Sequence, residues 1–145
     1  MPNLKHLPVF IFLLIVILFD DSTVLGQDHK GYILEIEKDI GQIDSIHFGG
    51  GVAIGYSFFQ DVEDLKYIFR KRVLTPGSAI QYHLQKENEI YYILSGKGVM
   101  TMNDETFEVS PGFAVLTQAG SSHGLAQIGD EDLILIIVYE KVPPK

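Results

Sequence analysis

Beyond Gly31 the apolar residues of the chain recur mostly at every second position, in short runs rich in Val, Ile, Phe and Tyr. Along an extended backbone that period sends one side chain in and the next out, so it predicts strands rather than helices. Turn chemistry cuts the runs at Gly49-Gly50-Gly51, Thr75-Pro76-Gly77, Lys86-Glu87-Asn88, Ser95-Gly96, Asn103-Asp104, Ser110-Pro111-Gly112, Gln118-Ala119-Gly120 and Gly129-Asp130. Each supplies the fixed or positive φ that a reversal needs. Strands are expected over residues 32–36, 52–58, 66–74, 78–85, 89–94, 97–102, 105–109, 113–117, 122–128 and 132–139. No stripe of helical period competes, and only Asp61 to Asp64 has room for a turn of helix. Short strands without helices make an all-β sandwich or barrel.

The N-terminus follows another rule. Val9 to Phe19 is an unbroken apolar run of 11 residues, preceded by Lys5 and His6 and closed by Asp20-Asp21-Ser22. A bilayer span needs about 20 apolar residues and a secretory core about 7–15, so residues 1–26 are expected to be a signal peptide cleaved before Gln27. An uncleaved anchor and an apolar core helix are the alternatives. The expected organisation is therefore a signal peptide (1–26), an N-terminal arm with the first strand (27–48), a barrel (49–141) and a frayed end (142–145), in a secreted or periplasmic protein.

Composition narrows the partners. The chain of 145 residues is 46% hydrophobic and carries nine Phe and seven Tyr, enough for a packed core. Its formal charge is -8; without the first 26 residues it keeps ten Lys or Arg against 17 Asp or Glu, a net of -7. Such a surface repels phosphate backbones and anionic lipid, so no nucleic acid and, after cleavage, no membrane is expected as a partner. The absence of cysteine excludes disulfides, thiolate metal sites and a cysteine nucleophile.

The candidate chemistry lies in few residues. Gly49-Gly50-Gly51 suggests a phosphate cradle, but no helix or Lys-Ser/Thr follows, so these read as turn glycines. His6 falls in the signal, His29 in a polar linker and His47 in a loop. His83 and Gln85 share a strand face, and Glu89 opens the return strand after a short turn, so the three side chains can converge. Imidazole, amide and carboxylate converging in this way can hold a divalent ion, with His123, after the turn at 118–122, as the fourth donor. A metal-free barrel in which His83 and Glu89 pair directly is the competing reading.

Gly77, His83, Gln85, Glu89 and Gly96, separated by five, one, three and six residues, resemble the first cupin motif. Gly112, Gly120 and His123, separated by seven and two residues, resemble the second, and 15 residues lie between the two halves. The resemblance implies a double-stranded β-helix, or jelly-roll, barrel with a divalent metal (Zn, Mn, Fe, Ni or Co) on His83, Gln85, Glu89 and His123. Three positions depart from the pattern. Gln85 stands for the second histidine, Gln118 for a proline and Gln127 for an asparagine. The glutamine amide is a neutral and weaker donor than imidazole.

Alternation carries Tyr91 inward beside Glu89, as barrel filler or as a hydrogen-bond donor to substrate, its one candidate catalytic role. Gln81, Leu125 and Gln127 share faces with the ligands, whereas Tyr82 and Tyr92 face outward; Arg70 and Arg72 share a strand face and are expected to be solvated, with clamping of an anionic substrate as the alternative. Two functions remain open: a metal-dependent enzyme of lyase, isomerase or dioxygenase type acting on a small molecule, and a non-catalytic module binding a sugar or other small ligand. Exposed sheet edges and the resemblance both imply a homodimer.

Overall fold

The computed structural model describes residues 31–44 and 51–142. The chain divides into a unit ending at Tyr32 and a second beginning at Ile33, which holds all the regular structure described below. The expected signal peptide, with His6, and likewise His29 and His47, lie outside the described residues. Among the described residues no helix is long and apolar enough to cross a membrane.

A single turn of helix, α1 (Glu37–Ile40), leads into β1 (Gly41–Asp44). There follow β2 (Ala53–Phe58), β3 (Tyr67–Leu74), β4 (Ala79–Leu84), β5 (Glu89–Ser95), β6 (Lys97–Met102), β7 (Glu105–Val109), β8 (Ala114–Thr117), β9 (Ser122–Ile128) and β10 (Leu133–Glu140). From β2 onward every strand lies within about a residue of its expected span. The strand expected at 32–36 is absent. Glu37 and Asp39 open the helical turn, and pairing begins only at Gly41, which faces Tyr56 of β2. Residues 61–64 form turns rather than helix.

The strands make an antiparallel jelly-roll sandwich of two sheets, ordered β1-β2-β3-β10-β5-β8 and β4-β9-β6-β7. Alternation is plain in β5, where Glu89, Tyr91 and Ile93 are buried and Ile90, Tyr92 and Leu94 exposed. Leu74, Ile93, Leu133 and Leu135 from the larger sheet meet Met100, Val109 and Leu125 from the smaller in one core. Each such side chain contributes about 1.5–3 kcal/mol by leaving water.

Two features aim this scaffold at one point. The turn before β9 is closed by Gly120, whose φ of +89° a β-carbon disfavours. Its N–H donates to the Gln85 carbonyl, while the Gln85 N–H donates to Ser121, both at 2.9 Å. The β4–β5 and β8–β9 connections are thereby tied together, with Gln85 between them. A register irregularity between Ile80 and His83 then brings His83 directly opposite His123 on β9.

Candidate metal centre

Each ligand candidate is placed by strand register. Glu89 starts β5 opposite Thr117 of β8, and His123 lies in β9 opposite His83 of β4 and Met102 of β6. The potential ligand atoms of His83, Glu89 and His123 all lie within 4.8 Å of one another. The two imidazole rings meet edge to face with centroids 4.7 Å apart. Gln85 is buried and lines the same cavity as His83 and Glu89, a space of about 230 Å³.

Hydrogen bonds orient both imidazoles. His83 Nδ1 lies 2.7 Å from the Gln81 carbonyl oxygen, which can only accept, so the proton sits on Nδ1 and Nε2 is left as the ligand atom. His123 is 0% exposed; its Nδ1 lies 2.6 Å from Thr117 Oγ1 and its Nε2 3.0 Å from Glu89 Oε2. That last contact is close yet not aligned as a hydrogen bond, so Glu89 Oε2 is buried without a hydrogen-bond partner. Two ligand atoms each about 2.1 Å from one ion and at right angles stand about 3.0 Å apart, which is the spacing of His123 Nε2 and Glu89 Oε2. The donor set therefore fits a divalent cation, and supporting partners at Thr117 and Gln81 are what metal-bound imidazoles need.

Tyr91 is buried beside this group, its hydroxyl 3.4 Å from His123 Nε2. Burial pushes its phenol well above the ordinary range, the Glu89 carboxylate adds to the rise, and Arg72 opposes it. Tyr91 thus holds its proton at neutral pH and is suited to donate rather than abstract.

Other neighbours differ from expectation. Arg72 is 5% exposed rather than solvated, because it faces Gly55 on β2 and Leu135 on β10 and so points inward. Arg70, half-buried, sits in the same row as Ile137 and Tyr91. The signal was present in β3, where alternation puts both arginines in phase with Ile68 and Leu74. Gln81 is exposed, since the irregularity in β4 turns it away from the core. Gln127 is buried but serves as a clamp. Its Oε1 accepts from the Gly77 N–H and its Nε2 donates to the carbonyls of Ile128, Gly129 and Glu131. Leu125 lies in the core, and Tyr82 and Tyr92 face outward as expected. Thr117 is the supporting residue that sequence reasoning missed; its only signal was a hydroxyl just before the turn leading to His123.

A jelly-roll sandwich with two histidines and a carboxylate gathered between its sheets defines a class, and comparison names it. Residues 71–139 match the cupin domain family, and the chain belongs to the cupin superfamily. Over 72 residues, 49% of this chain and 60% of the relative, it is 36% identical to the oxalate-binding protein of Thermotoga maritima. The match thus spans about three fifths of that curated relative. Among solved structures it is similar to a predicted oxalate decarboxylase from Thermotoga maritima, with 27% identity and a TM-score of 0.68 over 76% of this chain and all of that one. The polyketide cyclase RemF of Streptomyces resistomycificus, 17% identical with a TM-score of 0.65 over 78% of this chain and 82% of that one, shares the fold.

Proposed function

We propose that the protein is an exported, metal-dependent cupin enzyme acting on a small molecule, with a divalent ion held by His83, Gln85, Glu89 and His123. The observation that carries this reading is the convergence of His83, Glu89 and His123, with a Glu89 oxygen left without a hydrogen bond. A divalent ion, when bound, supplies Lewis acidity toward a substrate oxygen. The remaining tasks fall to the chain. Tyr91 donates a hydrogen bond from its retained proton, Thr117 holds the His123 ring, and Ile80 and Ile137 wall the cavity with apolar surface. The names of the Thermotoga relatives make small carboxylates the first compounds to assay, for lyase, isomerase or dioxygenase chemistry.

Export through residues 1–26 and homodimerisation belong to the same reading. Phe69, Val138, Ile90 and Leu116 lie side by side on the outer face of the larger sheet, and Phe69, Ile90 and Leu116 are exposed, an apolar row suited to a second copy.

One feature favours a non-catalytic binding module instead: Gln85, a neutral and weaker donor, stands where the resemblance has a second histidine. The two readings separate on one experiment. The protein is loaded in turn with Zn, Mn, Fe, Ni and Co and analysed for bound metal and turnover of small carboxylates. The enzyme reading expects near one equivalent of metal and turnover lost in His123→Ala. Binding at trace level for every ion overturns metal dependence, and metal binding without turnover selects the module.

A further inference from the structure

Residues 33–40 precede the first strand pairing, which begins at Gly41 opposite Tyr56, and they add little to the core. Ile33, Leu34 and Ile36 are exposed, and α1 buries no residue. Among the described residues, two polar contacts tie this arm to the barrel. Both carboxylate oxygens of Glu37 accept from Lys71 Nζ on β3, at 2.9 and 2.8 Å. Glu35 Oε2 accepts from the Phe59 N–H, just beyond β2, at 2.6 Å. Phe59 has a φ of +56°, uncommon for a bulky side chain, and the Glu35 carboxylate is what pairs its amide. A segment fastened by polar contacts, with few buried apolar side chains, lies at the low end of local stability and opens without the rest of the fold.

The arm borders a second cavity, of about 500 Å³, larger than the one at the metal centre. Glu35, Asp39 and Ile40 line it from the arm, and Gly55, Ser57 and Arg70 line it from β2 and β3. Arg70 and Arg72 border both cavities, so the two spaces adjoin. Movement of the arm away from the sheet therefore widens the approach to the metal centre from this side. The Glu37 side chain is 45% exposed, which leaves the ion pair open to screening by dissolved salt.

We infer that residues 33–40 form a salt-sensitive lid, latched through Glu37 and Glu35, which governs entry to the cavity adjoining the metal centre. This rests on the proposed function only in taking the smaller cavity as the reacting end, so the test is made without metal. The chain contains no cysteine. Ser57→Cys therefore places a single thiol in the cavity wall, and Asp104→Cys a single control thiol in the exposed turn between β6 and β7. The full chain, stripped with chelator, is labelled with N-ethylmaleimide, a small uncharged probe, and the rate is followed by mass spectrometry. The thiol at position 57 is expected to label more slowly than the control. Lys71→Met is expected to speed it about two- to fivefold, as loss of a partly exposed ion pair allows. Glu35→Ala, which removes a charged acceptor from a backbone N–H, is expected to speed it about tenfold. Sodium chloride at about 1 M is expected to reproduce the Lys71→Met effect on the intact latch and to add little in that variant. Exchanging the pair, Glu37→Lys with Lys71→Glu, is expected to restore slow labelling. A thiol at position 57 as reactive as the control, equal rates in all variants, or an equal rise at both thiols overturns the lid. Metal stoichiometry is measured separately, so failure of either reading is visible on its own.

Discussion

The two sheets contribute unlike chemistry to the same interior. The four-stranded sheet supplies the imidazoles, His83 and His123, whereas the six-stranded sheet supplies the carboxylate, the phenol and both arginines. Within the imidazole pair the contrast sharpens. His123 is fully enclosed and held through Thr117, while His83 is exposed, with its Nδ1 on the Gln81 carbonyl of its own strand. A centre divided in this way has one half built into the core and the other half exposed.

The largest expected effect comes from breaking the buried half. His123→Ala removes a fully buried ring and leaves a cavity between the sheets, so a loss of about 2–4 kcal/mol in chemical denaturation is expected together with loss of metal. His83→Ala is expected to lose metal too but to change stability within about 0.5 kcal/mol, as exposed substitutions do. Equal destabilisation by the two variants contradicts the division. Thr117→Val is expected to weaken metal about 10–100-fold, measured by competition with a chelating dye, because the ring of His123 loses its support. Gln85→His replaces an amide by imidazole and is expected to strengthen zinc binding in the same assay.

The smallest effect is on pH. Below about pH 10 the Tyr91 phenol is protonated in folded and unfolded chains alike, so it adds no slope to stability. Above that, the unfolded phenol ionises while the buried one keeps its proton, so stability falls as pH rises. Tyr91→Phe is expected to flatten that fall in melting curves between about pH 9 and 11, while Tyr139, raised by burial more than Arg70 lowers it, keeps part of the slope.

The same contrast explains what the sequence made legible. Alternation in β5 announced Glu89 and Tyr91 as inward residues, and the glycines around His83 and His123 announced the turns that bring them together. Strand alternation is local and survives folding. The arginines were misjudged because charge was weighed above phase, although Ile68 and Leu74 marked their face as inward. Gln81 was misjudged because the irregularity in β4 breaks period two, and no residue type at 80–83 signals it. Thr117 was invisible because its partner, His123, is fixed only by the closure of β8 against β5 and of β9 against β4.

The most direct measurement of the central claim is anomalous diffraction from crystals of the zinc-loaded protein. The account predicts one strong peak within about 2.0–2.2 Å of nitrogen atoms from His83 and His123 and oxygen atoms from Glu89 and Gln85. Crystals with no peak among these four side chains, or with Glu89 and His123 hydrogen-bonded directly across that point, would contradict it.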